Sequence, residues 1–240
     1  SFYFPYAYIY FCLGNHDVLL HDCLGPGPNL DLQLLKNVWL GDEVQSNSFD
    51  RGGYWSKRIS ENLKIISVNT LYYSKKNTLA GSCGDLNGPG WQQLSWLKNQ
   101  LFAALSDNLK VIIIGHIAPM DVLYHTDCLA GFVDILGQFP GVVSAQIYGH
   151  SHLDDIFILK RSNVSVGFAL TAPSIVPTYN PGYRVYYFDD VNGSLLDYHQ
   201  FYTSRHHQNI NYVMGYGCAK EFGAGPMDLV YFEYLLNREK

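Results

Sequence analysis

The chain predicts an α/β fold in which two β-sheets pack face to face with helices outside. Strand-like and helix-like runs alternate up to about residue 153, and successive strands follow from there, the pattern of a mixed sheet joined to an antiparallel one. Three apolar runs also stop at a glycine with histidine close behind. They are Tyr8–Leu13 before Gly14-Asn15-His16-Asp17, Val111–Ile114 before Gly115-His116, and Val142–Tyr148 before Gly149-His150-Ser151-His152. Parallel strands of an α/β sheet deliver ligand-binding loops at their carboxyl ends. Three such endings bring four imidazoles and an amide together and outline a metal site.

The first strand is read at Tyr8–Leu13 from its β-forming aromatic and branched residues. Gly25-Pro-Gly-Pro28 then breaks the chain before Leu30–Trp39, whose apolar residues are mixed in helical spacing. Strands follow at Tyr54–Ile59 and Leu63–Asn69, the second containing the buried-type run Ile65-Ile-Ser-Val68. The clearest helix spans Pro89–Leu105: Trp91, Leu94, Leu97, Leu101 and Leu105 recur at three- and four-residue steps, and Pro89 suits a first turn. After the strand at 111–114, Phe132, Ile135, Leu136 and Phe139 mark a second helix, Phe132–Phe139. Strands are then expected at Asp155–Lys160, Val164–Leu170, Tyr183–Asp189 and Leu195–Tyr202, with Asn192-Gly193 turning the last pair. A short helix is expected over Pro226–Leu236.

At 240 residues the chain fits one domain with a substantial core. No apolar run reaches the roughly 18 residues of a membrane helix. A net charge of −5 gives no support for a nucleic-acid polymer as partner. The five cysteines show no CxxC spacing, which argues against a thiolate zinc site, and their odd number leaves one free or paired outside the chain. Two sequons, Asn163-Val-Ser165 and Asn192-Gly-Ser194, lie near turns and favour secretion. No signal peptide is in view and the chain opens almost directly on a motif-bearing strand, so its start is expected to be cut.

A hydrolytic metal centre needs donors of intermediate hardness on rigid elements. His116, His150 and His152 supply imidazoles, and Asn15 adds a neutral oxygen. Any one histidine after a strand is more often a hydrogen-bonded loop residue. Three Gly-His endings are harder to obtain from packing alone, because glycine there implies a close approach or an unusual dihedral. His16-Asp17 reads as an acid with its orienting carboxylate, and Asp17 also suits a helix N-cap. Asn69, ending its strand, is either a turn former or a polar group facing the site. Tyr179 opens a turn, Tyr179–Arg184, on which aromatic and cationic side chains meet a substrate phosphate; equally, Tyr183 is core and Arg184 pairs with a carboxylate. His125 with Asp127, His199, and His206-His207 read as solvated loop residues.

Gly14-Asn-His-Asp17, Gly115-His116 and Gly149-His-Ser-His152, in that order, resemble the later motifs of calcineurin-like metallophosphoesterases. Ile66-Ser-Val-Asn69-Thr-Leu-Tyr-Tyr73, Gln93-Leu-Ser-Trp-Leu97, Gly115-His-Ile-Ala-Pro119, Gly149-His-Ser-His-Leu-Asp154 and Ala172-Pro-Ser174 with Asn180-Pro-Gly-Tyr-Arg-Val-Tyr186 narrow the resemblance. They look like the acid sphingomyelinase and sphingomyelinase-like phosphodiesterase branch, over about residues 8 to 202.

This resemblance implies a metallophosphoesterase-type β-sandwich of two mixed sheets flanked by helices. The catalytic domain would be residues 1–203, lacking its N-terminal part, with a C-terminal extension, 204–240, packed on it. It further implies two divalent metal ions, zinc in this branch, held by Asn15, His116, His150 and His152, with His16 as proton donor beside Asp17. Asn69 and Tyr179 would face substrate. The implied reaction is hydrolysis of a small-molecule or lipid phosphodiester, a choline phospholipid or a nucleotide-type substrate, by metal-bound hydroxide attack. The setting would be secreted or lysosomal, with peripheral membrane contact. The chain departs from the family in lacking, before Gly14, the Asp-x-His and Gly-Asp motifs that supply the remaining ligands. The alternative is therefore a non-catalytic fragment or degenerate member with a binding or structural role.

Overall fold

A computed structural model describes residues 6–39, 46–176, 178–204 and 211–238. Two helices, α1 (Leu30–Trp39) and α2 (Ser46–Gly52), precede β1 (Trp55–Arg58) and β2 (Leu63–Ser67). Helix α3 (Pro89–Ser106), β3 (Lys110–Ile114), α4 (Thr126–Gln138) and β4 (Val143–Tyr148) continue the alternation. From β5 (Asp155–Arg161) and β6 (Val164–Thr171) the chain turns to hairpins, with β7 (Gly182–Phe188), β8 (Leu195–Tyr202) and β9 (Val213–Gly217). Short α5 (Cys218–Phe222) and α6 (Leu229–Arg238) follow.

Strands β1 to β6 form one sheet in the order β1-β2-β3-β4-β6-β5, and β7-β8-β9 form another. Within the large sheet β2, β3, β4 and β6 are parallel, while β1 and β5 run antiparallel at its two edges. The second sheet is antiparallel throughout rather than mixed, with β7 and β8 joined by a short turn at Asn192-Gly193. Its inner residues Leu195 and Tyr198 share a core with Ala145, Phe168 and Leu170 of the large sheet and with Phe232 of α6. On α3 the stripe Leu94, Leu97, Leu101 and Ala104 is buried in the main core with Val111 and Ile113 of β3.

Most elements fall where the sequence pattern puts them, but α2 and α5 are not expected from it and three further differences have a physical cause. Tyr8–Leu13, read as the first strand, joins no ladder among the described residues. Strand propensity sets an extended backbone, whereas a strand needs a partner edge. Here the backbone is held through Phe11, whose carbonyl accepts from Trp55 Nε1 at 3.1 Å and Ser67 Oγ at 3.0 Å. Helix α4 starts at Thr126, well before Phe132. Gly131, which weakens the helical signal, lets α3 approach closely: a Cβ there would lie 2.8 Å from Leu94 Cδ1. Strand β9, unforeseen in the glycine-rich tail, completes the second sheet against β8. Cys83 and Cys128 are disulfide-bonded, leaving three cysteines free, not one.

The glycines before the histidines have different causes. A Cβ on Gly115 would stand 2.8 Å from the Tyr148 ring and 2.9 Å from Thr70 Cγ2, both buried. A Cβ on Gly149 meets nothing closer than a backbone oxygen at 4.0 Å. Gly115→Ala should therefore cost about 1–3 kcal/mol, the scale of core overpacking, and lower the urea midpoint. Gly149→Ala should stay within about 0.5 kcal/mol. Equal midpoints for the two variants would contradict this packing.

Candidate active site

The parallel strands end on one edge of the large sheet. β3 runs into Gly115-His116 and β4 into Gly149-His150, and the ladder continues past both strands. Gly115 N–H donates to Ile147 O at 3.1 Å and Gly149 N–H to His116 O at 2.9 Å. These two bonds fix the imidazoles side by side, with His116 Nε2 3.2 Å from His150 Nδ1 and the rings edge to face at 5.0 Å between centroids. His150 has φ +67°, the left-handed region, which turns the chain sharply after the strand.

Asn15 reaches the same point from the loop after Leu13. Its Oδ1 lies 2.7 Å from His116 Nε2, and the residue is 4% exposed. Gly14 allows this approach, since a Cβ there would stand 3.1 Å from the His116 ring. Asn15 Oδ1, His116 Nε2 and His150 Nδ1 thus form a compact set of three donor atoms. On the exposed rim beside them, His16 Nε2 is 3.3 Å from His21 Nε2, with the rings 4.3 Å apart.

Burial pushes His116 down to about 4, and the neighbouring His150, His16 and His152 add to the fall. His150 is also lowered, first by burial and then by the Lys76 ammonium. Both rings are therefore held neutral with lone pairs available, the form that binds a metal.

Other expected site residues are placed differently. Asp17 does not orient His16: its carboxylate turns back to accept from Gly14 N–H at 2.8 Å and closes the tight turn, so His16 takes His21 as neighbour. His152, at φ +61°, has Nδ1 3.1 Å from Thr178 Oγ1 rather than turned into the trio, although it lies near enough to lower His116. Asn69 is wholly buried: Oδ1 accepts from Leu71 N–H, capping a 3₁₀ turn, and Nδ2 donates to Gly52 O. Tyr179 is exposed and lines a shallow depression with His152, Asp154, Pro173 and Tyr202. Arg184 is no surface cation; its side chain is 1% exposed, paired with Asp154 and bonded to Gln200 Oε1 at 2.9 Å. Tyr183, by contrast, is exposed and stacks on Phe201. His199 meets Asp197 and Tyr187, away from the trio, and His206-His207 lie outside the described residues.

Sequence reasoning missed His21 and Asp22, which pair at 3.1 Å and both contact the Asn15 amide. The available signal was a second His-Asp dipeptide five residues after His16-Asp17 in the same loop.

An amide oxygen and neutral imidazoles gathered at the carboxyl ends of parallel strands define the class: an α/β sandwich with a metal-type site. The chain belongs to the calcineurin-like phosphoesterase family, whose model matches residues 2–154. An endopolyphosphatase of Neurospora crassa is 34% identical over 65% of this chain and 22% of its own length. A sphingomyelinase phosphodiesterase C of Dictyostelium discoideum is 29% identical over 98% of this chain and 58% of its own. The cyclic GMP-AMP phosphodiesterase SMPDL3A of Mus musculus is 30% identical over 86% and 50%. The chain thus spans between 22% and 58% of the length of these relatives. Among solved structures, a dimetal phosphatase from Danio rerio overlaps in part, with TM-score 0.42 and 14% identity over 67% of this chain and 59% of that one.

Membership of this family implies two divalent metal ions. The trio fits one such ion in donor chemistry, an amide oxygen and two imidazole nitrogens, with separations of 2.7 Å and 3.2 Å between neighbouring donors. Among the described residues no group of three or more histidine, cysteine or acidic side chains is placed to hold a metal ion, so Asn15 is essential to the set.

A stability consequence follows for the metal-free protein. The unfolded chain protonates these imidazoles near 6.5, whereas folded His116 does so only near 4, so between those values the unfolded state binds more protons and stability falls as pH falls. In chelator, the melting temperature of His116→Gln should lose less than that of the parent between pH 6.5 and 4. Parallel melting curves across that range would count against a buried neutral His116.

Proposed function

We propose that the chain carries a metal-dependent phosphodiesterase site of the sphingomyelinase-like type, which hydrolyses a choline phospholipid or a nucleotide-type phosphodiester. The convergence of Asn15 Oδ1, His116 Nε2 and His150 Nδ1 on one point carries this reading. Asn15, His116 and His150 would hold metal, with His152 beside them. Their mixed amide and imidazole donors suit zinc. When bound, the ions polarise phosphoryl oxygens and activate water for attack on phosphorus. His16, exposed beside the trio, would give a proton to the leaving oxygen. Lys76, whose ammonium lies 3.9 Å from Asp22 Oδ2, would add a cation toward an anionic phosphoryl group. Tyr179 would contact the substrate's remaining part, whereas the buried bonds of Asn69 support a structural role.

In this reading residues 1–203 form the catalytic domain and 204–240 an extension packed on it, as β9 and α6 support. A secreted or lysosomal setting is supported by the Cys83–Cys128 disulfide and by the exposed turns that carry Asn163 and Asn192. No helix among the described residues is long and apolar enough to cross a membrane, so contact with a lipid substrate would be peripheral. The second reading, a non-catalytic family member, is favoured by one observation: the described residues supply a single three-donor set where the family implies two ions.

Assays of zinc-loaded protein on a chromogenic phosphodiester, a nucleotide diester and sphingomyelin separate these readings. Turnover abolished by chelator and restored by metal is expected. Nucleotide cleavage without lipid cleavage rejects the sphingomyelinase version, and metal binding without turnover of any diester establishes the non-catalytic one. His116→Ala and His150→Ala should deplete bound metal. His16→Ala should keep metal and slow substrates with poor leaving groups by about 10²–10⁴-fold. Equal metal loss in all three variants would refute the division of roles.

A further inference from the structure

The Asn15 side chain is useful to a cation only in one of its two orientations, because an amide presents an oxygen at one end and a donor at the other. Its Nδ2 end faces two acceptors. Asp22 Oδ1 accepts from Nδ2 at 2.9 Å, and His21 Nε2 lies 3.0 Å from the same nitrogen. His21 is itself set by Asp22, whose Oδ2 is 3.1 Å from His21 Nδ1. With the ring proton on Nδ1, donated to Asp22, the Nε2 lone pair is left to receive the second amide proton of Asn15. Both amide protons are then taken, and Oδ1 faces His116 Nε2.

The backbone places Asp22 for this task. Its N–H donates to Asn15 O at 3.1 Å, closing the loop on itself, and its φ of +67° lies in the left-handed region. Asn15 is 4% exposed and the Asp22 side chain 15%, so water competes little for the Asn15–Asp22 bond, whereas the His21 side chain is 54% exposed.

We propose that Asp22 is a positioning residue for the metal site: one carboxylate, acting directly through Oδ1 and indirectly through His21, locks the Asn15 amide with its oxygen toward the cation. Partners of this kind orient metal ligands, and their loss typically weakens metal binding by about 10–100-fold. The proposal rests on the reading of Asn15 as a ligand given above.

Glycine and asparagine both tolerate a left-handed φ, so Asp22→Gly and Asp22→Asn keep the loop while changing the carboxylate. Two readouts on the full chain test it: zinc affinity by calorimetry, and solvent exchange of the Asn15 side-chain amide protons by NMR in metal-free protein. Asp22→Gly should weaken zinc binding about 10–100-fold and speed amide exchange, while Asp22→Asn, which retains one acceptor, should fall between it and the parent. Unchanged zinc affinity and unchanged amide exchange in Asp22→Gly overturn the proposal. So does an Asp22→Asn variant as impaired as Asp22→Gly, because charge rather than the hydrogen bond would then be responsible. If the parent binds no zinc, the ligand reading of Asn15 fails on its own, and the exchange rates alone decide whether Asp22 orients the amide.

Discussion

The hydrogen bond from Gly149 N–H to His116 O is the constraint on which the site depends. It carries the β3–β4 pairing past both strand ends, one residue beyond β4 and two beyond β3, where the chain would otherwise diverge into two independent loops. Parallel pairing then converts a sequence separation of 34 residues into imidazole nitrogens 3.2 Å apart. The strands beneath are buried by α3 on one side and by the second sheet on the other, so the separation is set by the core rather than by mobile side chains. Asn15 enters from outside the ladder and is held by a different device, a closed loop from Gly14 to Asp22. The centre therefore joins a rigid half, built on the sheet, to a half whose geometry is defined by side-chain hydrogen bonds.

That division explains how much of the molecule was legible in the sequence. The runs at 63–69, 111–114 and 142–148 were readable because strands buried on both faces are continuously apolar, and two of them end at a glycine. Gly115 is crowded by Tyr148 and Thr70 as a close approach requires, whereas Gly149 has open space and no such cause. Tyr8–Leu13 has strand composition yet no ladder among the described residues, because composition does not identify a partner edge. Arg184 could have been a substrate cation or a buried pair, and only tertiary structure brings Asp154 and Gln200 to it.

In the loop after Gly14, local reading misjudged which carboxylate served which imidazole. Adjacency suggested Asp17 for His16, but a side chain two bonds from its own backbone finds the turn amide first, and Asp17 bonds Gly14 N–H. Asp22, one residue beyond His21, is free of that competition and faces the site. Asp22 pairs with its own neighbour His21 and also takes the Asn15 amide, so what separates the two carboxylates is the turn amide that only Asp17 meets.

The electrostatics of the centre join stability to metal content. Burying two imidazoles against each other costs little while both are neutral and hydrogen-bonded, but it makes protonation of either unfavourable, so the metal-free fold is weakened by acid. A cation bound by the same lone pairs would favour the folded state by mass action. The two effects act through the same atoms in opposite directions, since each proton gained by His116 removes a donor and each ion bound excludes a proton.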